Sequence, residues 1–177
     1  MPDSQLPAHR VQQPRSDYTG ILGEPNEGRT GRVPTSGLGA SGHVKTSKCS
    51  RDDARERLEQ GQADLVTAEV IGDERNLAGL TGPWRSTLTQ NAVHACIAAA
   101  DAICCARLGL RSNDRNHKQA AQLLEQARVG QQLTNRFAAV LDIKGKAEYQ
   151  SIHPSVSEAK MALRVARQLL TLARTIV

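Results

Sequence analysis

The chain has 177 residues, a formal net charge of +5 and an aromatic content of only 2%. This length suits one domain with a tail, and so few rings argue against an aromatic base-stacking platform and favour a helical core of small aliphatic side chains. With no secretory signal and no apolar run expected to span a bilayer, the sequence predicts a cytoplasmic protein with no membrane partner.

Residues 1–48 differ in composition from the rest of the chain. They contain five of the seven prolines and seven of the fourteen glycines, without apolar periodicity. Such a segment buries too little apolar surface to offset its chain entropy. We predict a disordered leader over 1–48, or an upstream extension from a misassigned start codon, followed by a helical domain over 49–177.

From Ser50 onward the apolar spacing is helical, and there is no strand-like alternation. Ser50 and Ser155 are candidate N-caps, each with an acidic residue three positions later, and Gly109 and Gly130 are candidate helix ends. The spacing predicts an all-α, up-and-down bundle of four to five helices. The predicted helices cover about 51–71, 84–108, 117–129, 133–143 and 156–177, with an irregular segment over 145–154.

The second predicted helix is expected to be buried almost all round, yet three polar residues share one stripe along it: Asn91, His94 and Asp101. Buried polar groups need partners. The stripe is therefore either a satisfied structural network or part of a site, and His94 is either a core histidine or a site residue.

Four cysteines occur in the chain: Cys49, Cys96, Cys104 and Cys105. They lack the Cys-x-x-Cys spacing of a metal site, and adjacent cysteines on one helix are a poor disulfide framework. We expect free thiols that act as small core hydrophobes, as suits a reducing cytoplasm. We predict no metal and no cofactor.

The final helix carries small and apolar residues at three- and four-residue steps: Val156, Ala159, Leu163, Ala166, Leu170 and Ala173. We call this row the α5 seam. Four or five helices are not expected to cover all of it, which predicts a homodimer.

Charge is segregated along the helical domain. Residues 49–75 carry four basic and eight acidic side chains, whereas residues 107–146 carry eight basic and three acidic ones. The second region either faces an anionic partner or is an ordinary solvated face. Connections after the second and fourth helices of an up-and-down bundle are expected at one end, which would gather the basic residues. The candidate phosphate-binding residues are Arg111, Arg115, Lys118, Lys144, Lys146 and Tyr149; Tyr149 is otherwise a bundle-end tyrosine.

Three segments together resemble the HEPN superfamily ("higher eukaryotes and prokaryotes nucleotide-binding"), most closely small actinobacterial-type members. They read Ala-Val-His-Ala-Cys-Ile-Ala-Ala-Ala-Asp-Ala-Ile over 92–103, Asn-His-Lys-Gln-Ala-Ala-Gln-Leu-Leu over 116–124 and Lys-Ala-Glu-Tyr over 146–149. With the Ala- and Leu-rich final helix, the resemblance covers roughly residues 50–177. It implies a helical bundle, commonly homodimeric. Known members include metal-independent ribonucleases and inactive partners of minimal nucleotidyltransferases.

Active members of that superfamily use an Arg, four to six residues and a His, and Arg111 and His117 enclose five residues. In active members the motif lies late in the bundle, where this chain has Lys144 in place of Arg. Arg111 and His117 are therefore the candidate catalytic pair of a degenerate motif. The alternative for His117 is a helix cap or a hydrogen-bond partner of Asp101 or Asp114.

The resemblance thus predicts an RNA- or nucleotide-binding protein of a toxin–antitoxin or phage-defence module, with a metal-independent ribonuclease as its enzymatic version. A cognate nucleotidyltransferase or antitoxin is the protein partner that it implies. The alternative function is a non-catalytic helical interaction protein that holds a partner through its final helix.

Overall fold

Five α-helices make up most of the described fold, so the predicted all-α architecture is confirmed. The computed structural model describes residues 46–113, 117–149 and 152–177, and of residues 117, 118 and 145–149 the backbone only. The helices are α1 (Arg51–Ile71), α2 (Gly82–Leu108), α3 (His117–Gln126), α4 (Gln131–Tyr149) and α5 (Val156–Ile176), with a short 3₁₀ turn over Leu77–Gly79. The segment 145–149, predicted to be irregular, is the last part of α4.

Local capping chemistry sets the helix ends that the sequence predicts. The Ser50 hydroxyl accepts the Asp53 amide at 3.1 Å, while the Asp53 carboxylate accepts the Ser50 amide at 2.7 Å. Ser155 and Glu158 form the same reciprocal pair at the start of α5. Gly109 ends α2 with a φ of +65°, a left-handed conformation that favours glycine.

Helices α1 and α2 pack antiparallel and very close together. Arg57 near the start of α1 faces Asp101 near the end of α2, with 3.9 Å between Nε and Oδ2. One turn further along α1, a Cβ atom on Gly61 would lie 3.2 Å from the Ala95 carbonyl oxygen and 3.3 Å from the Ala98 Cβ. The two backbones therefore approach across small residues.

The other long helices complete an up-down-up-down order. Ser86 hydrogen-bonds His153 at 2.9 Å near the starts of α2 and α5, and the Cys96 thiol donates to the Ala162 carbonyl further along, so these two helices run in the same direction. Arg107, at the end of α2, donates to the Ala127 carbonyl just before α4 begins. Helix α4 therefore runs back against α2, and α3 is a short addition at the turn.

The α5 seam is covered by the chain's own helices, contrary to the sequence expectation. Val156 alone is partly open, at 37% exposed. The other seam residues are buried against the core that α1, α2 and α4 supply: Ala159, Leu163, Ala166, Leu170 and Ala173. The seam therefore gives no support to a dimer, and the homodimer stays a prediction.

A two-stranded antiparallel ribbon is present that the sequence does not predict. Strand β1 (Thr46–Lys48) pairs with β2 (Leu110–Ser112), and the Cys49 amide donates to the Gly109 carbonyl at 3.0 Å. Three-residue strands are too short to display alternation. The ribbon also uses residues 46–48, which the sequence assigns to the leader; residues 1–45 of that predicted leader lie outside the described residues.

Helix α2 has the length and apolar composition of a membrane span, which the sequence analysis did not expect. It is the one helix of the described ranges that meets this test, and 61% of its apolar window is buried inside the protein. The core helix of a folded bundle has the same properties.

Gly61→Val tests the close approach of α1 and α2. The added side chain would meet the Ala95 carbonyl, and overpacking of this kind costs about 1–3 kcal/mol. Ala63→Val is the matched control, because Ala63 is exposed on the same helix; we expect a change within about 0.5 kcal/mol. Urea denaturation followed by circular dichroism measures both. Equal stability of the two variants would contradict the close packing.

Candidate functional site

A surface pocket of about 270 Å³ lies between the first turns of α1 and strand β2. Its lining residues are Asp53, Glu56, Arg57 and Arg111. The three α1 residues share one helical face because they are three and four positions apart. Arg111 is the central residue of β2, opposite Ser47 of β1. The pocket therefore depends on both the helix and the ribbon.

Asp101 of α2 lies 3.9 Å from the guanidinium group of Arg57, a pocket residue, and is largely buried, with its side chain 16% exposed. Burial raises its pKa to about 6, although the positive charges of Arg57 and Arg111 act in the opposite direction. Removing a carboxylate from water here outweighs two nearby guanidinium groups. The result is a carboxyl group that changes charge near neutral pH, a property typical of functional sites.

The pocket is mixed in charge rather than uniformly basic. Hydrogen bonds from the backbone and side chain of Ser50 lower the pKa of Asp53, so that carboxylate stays charged. Within the described ranges, no group hydrogen-bonds the Arg111 guanidinium or lies within ion-pair distance of it. The pocket lining therefore combines two arginines with two acidic residues, Asp53 and Glu56, and the charge of the nearby Asp101 alters this balance.

A disulfide joins Cys49 to Cys105 beside the pocket, so the expectation of four free thiols is wrong for these two residues. Their Cα atoms are 5.5 Å apart, within the usual range for a disulfide. Neighbouring residues on a helix point in directions about 100° apart. Cys105 is thereby joined to the residue that follows β1, rather than to its neighbour Cys104.

The other two cysteines are free and buried, as the sequence predicts. Burial raises the pKa of Cys104 to about 12 and raises that of Cys96 still further. Neither thiol is activated as a nucleophile. The disulfide removes two of the four thiols on which the argument for a reducing compartment rests, and localisation stays a prediction.

The polar stripe of α2 is not a buried network. The Asn91 amide donates to the Thr87 carbonyl of its own helix at 2.9 Å, and His94 is exposed. Asp101 alone of the three lies beside a pocket residue, Arg57. Helix α2 is therefore open to solvent along part of this stripe rather than buried all round.

The predicted gathering of basic residues at one end does not occur between Arg111 and Lys144. Arg111 follows the end of α2, whereas Lys144 lies late in α4, which runs toward the start of α2. Helix α3 has 10 residues, about 15 Å, against about 40 Å for the 27 residues of α2. Because α3 does not cross the bundle, the connections after α2 and α4 lie at opposite ends.

Several predicted site residues are only partly described. Arg115 lies outside the described residues. The backbones of His117 and Lys118 form the first turn of α3, and those of Lys146 and Tyr149 lie in α4, but their side chains are not described. Their phosphate-binding and catalytic roles stay predictions.

Sequence reasoning missed the contribution of α1 to the pocket. Asp53 was interpreted as a capping residue, and Glu56 and Arg57 as part of an acidic solvated helix. The signal that could have found them is their shared helical face together with an antiparallel α1–α2 pair, which brings that face to the end of α2 where Asp101 lies.

No family model matches the chain, and no curated protein matches it. The resemblance to the HEPN superfamily therefore stays a prediction. In the part of the chain that the structure describes, no group of three or more His, Cys, Asp or Glu side chains could hold a metal ion.

Asp101→Asn tests the cost of burying this carboxylate. Because the pKa of Asp101 is raised to about 6 in the folded state, the fold is most stable with Asp101 protonated, below about pH 4. This stabilisation is lost as the pH rises through 6. The variant should therefore exceed the wild type in unfolding free energy by about 2–3 kcal/mol at pH 8 and match it at pH 4. Urea denaturation at both pH values measures this difference.

The control for this substitution is Asp142→Asn, on the exposed face of α4. We expect it to change stability by no more than about 0.5 kcal/mol at either pH. An Asp101→Asn protein less stable than the wild type at pH 8 would mean that attraction to Arg57 outweighs the cost of burial.

Proposed function

We propose that the protein binds RNA or a nucleotide through a phosphate group held by Arg57 and Arg111, as a HEPN-like bundle of a toxin–antitoxin or phage-defence module. One observation carries this proposal: two guanidinium groups line a single surface pocket, and one of them lies 3.9 Å from a carboxyl group with a pKa of about 6. Guanidinium groups bind phosphate oxygens in a bidentate manner.

The charge state of Asp101 controls how well the pocket suits an anion. Arg111 has no ion-pair partner among the described residues, so its donors are available to a phosphate. Asp53 and Glu56 repel an anion at neutral pH, and an ionised Asp101 adds to that repulsion. Once Asp101 is protonated, it no longer repels the phosphate and its hydroxyl becomes a donor. Binding is therefore expected to strengthen as the pH falls.

The enzymatic version of this function is metal-independent cleavage of RNA. A carboxyl group that titrates near the working pH is suited to accept the proton of a ribose 2′-hydroxyl. Arg57 and Arg111 would stabilise the additional negative charge on phosphorus in the transition state. His117 is the candidate for the second proton transfer, to the departing 5′-oxygen.

A specific observation favours the alternative function, a non-catalytic interaction protein. Val66 and Val70 lie one turn apart on α1 and are 58% and 82% exposed. Trp84 and Ile152 are also well exposed, at 59% and 70%. Large apolar side chains on a surface are typical of partner-binding regions, for an antitoxin or a nucleotidyltransferase in this interpretation.

The binding proposal predicts different behaviour of neighbouring arginines. Arg57→Ala and Arg111→Ala should each weaken binding of a short single-stranded RNA about tenfold or more, because each removes a charge-assisted contact. Arg55→Ala is the matched control, since Arg55 is exposed on the same helix and pairs with Asp52. Fluorescence anisotropy at low salt, at pH 5.5 and 7.5, measures the affinities, with tighter binding expected at the lower pH.

An equal loss of affinity in Arg55→Ala would indicate non-specific attraction. The absence of any RNA or nucleotide affinity at both pH values would make the interaction protein the leading function.

The enzymatic version predicts that the purified protein cleaves RNA in the presence of a metal chelator. Asp101→Asn should lower the cleavage rate at least about 100-fold, because it removes the proton acceptor, while RNA binding at pH 7.5 is kept or strengthened. Product release from an end-labelled RNA, at protein concentrations above the dissociation constant, measures the rate. If the wild-type protein binds RNA without cleaving it, the protein is a binding module and not a ribonuclease. If Asp101→Asn cleaves RNA at an unchanged rate, Asp101 is not the base.

A further inference from the structure

The β1–β2 ribbon depends on one covalent bond. Strand β1 contributes no apolar side chain, and Thr46 and Lys48 are exposed. Besides its three-residue pairing with β2, the described contacts that hold it are the Cys49–Gly109 backbone hydrogen bond and the Cys49–Cys105 disulfide. Two strands of this length are at most marginally stable in water without further support.

The helical core does not depend on that bond in the same way. The core cluster that unites α1, α2, α4 and α5 includes Cys96 and Cys104 but neither Cys49 nor Cys105. We therefore expect reduction to remove the cross-link's contribution to stability while this core stays packed. We propose that the disulfide is a thiol-exchange site and acts as a redox-controlled latch: a low-molecular-weight thiol or dithiol opens it, and the ribbon then separates while the bundle stays folded.

The two cysteines differ in exposure, from which we infer the order of the reaction. Cys49 is half-buried, whereas Cys105 is only 3% exposed. A reagent thiolate therefore attacks the Cys49 sulfur, a mixed disulfide forms there, and Cys105 leaves as a thiolate that takes up the proton lost by the reagent. A second thiol group displaces Cys49. Overall, one protein disulfide and two reagent thiols are converted into two protein thiols and one reagent disulfide.

Separation of the ribbon is expected to change the pocket through Arg111, and this step rests on the proposed function. Arg111 pairs across the ribbon with Ser47 and is the one pocket residue that β2 supplies. The α1 residues keep their positions on the helix, because the Ser50–Asp53 cap is local. Among the pocket residues, Arg111 is the one that loses its strand partner when β1 separates, so the oxidised protein is the form expected to bind phosphate more tightly.

Hydrogen exchange of the full chain, oxidised and after treatment with dithiothreitol, tests the latch. On reduction, exchange in peptides over 46–50 and 109–113 should accelerate about tenfold or more, while α5 peptides and far-ultraviolet circular dichroism stay unchanged. Cys49→Ser should show the open ribbon without reductant, and Cys96→Ala, which keeps the disulfide, should show the closed one. Alkylation and mass spectrometry establish that the bond has been reduced.

Unchanged ribbon protection after full reduction would overturn the latch, and so would unfolding of the whole bundle by reduction and by Cys49→Ser. RNA affinity is measured separately on both forms. Ribbon opening in a protein that binds RNA in neither form supports the latch and contradicts the proposed function. Equal affinity of the two forms contradicts the coupling to Arg111.

Discussion

The close antiparallel crossing of α1 and α2 at Gly61 is the constraint on which the site depends. A Cβ atom on Gly61 would lie 3.0 Å from Leu170 of α5 and 3.2 Å from the Ala95 carbonyl oxygen, so a larger residue here would force its neighbours to shift, and glycine favours this register of the helices. One turn away, the same register brings Arg57 to Asp101. The start of α1 is thereby placed beside the end of α2, where the Cys49–Cys105 bond joins the residue before the α1 cap to the last turn of α2.

Two opposing effects meet at Asp101, and their magnitudes decide its chemistry. Arg57 and Arg111 both favour the carboxylate, but the Arg57 contact is long, at 3.9 Å, and Arg57 is 39% exposed. A long contact to a partly hydrated cation recovers little of the free energy lost by taking a carboxylate out of water. Desolvation therefore dominates, and the pKa rises to about 6 instead of falling.

The helices could be predicted from the sequence because their signals are local. Capping pairs, glycine ends and three- and four-residue apolar steps act over a few residues, and the observed ends at Ser50, Gly109 and Ser155 follow them. The prediction that the connections after α2 and α4 lie at one end was wrong, because a short helix has the same apolar periodicity as a helix that spans the bundle. Only the length of α3, compared with that of α2, reveals that it does not cross the bundle.

The site was less predictable because it is made of non-local contacts. Arg111 and Asp101 were both candidates, yet nothing in their spacing indicates that Arg57 of α1 lies beside Asp101 and shares a pocket with Arg111. The disulfide was missed for a related reason. Sequence spacing set Cys105 beside Cys104, whereas helix geometry separates those two side chains, and the ribbon brings Cys49 to Cys105 from 56 residues away.

The disulfide also explains how the fold can accommodate a costly residue at its edge. An ionised Asp101 costs about 3 kcal/mol at neutral pH by its raised pKa. Closing a loop with a sequence separation of 56 residues is worth about 4 kcal/mol in the chain-entropy model. The two contributions are similar in size and opposite in sign, and both count in the stability of the whole fold, because the cross-link acts by restricting the unfolded chain. The cross-link can therefore offset the buried carboxylate in the total to which the packed helices α1, α2, α4 and α5 also contribute.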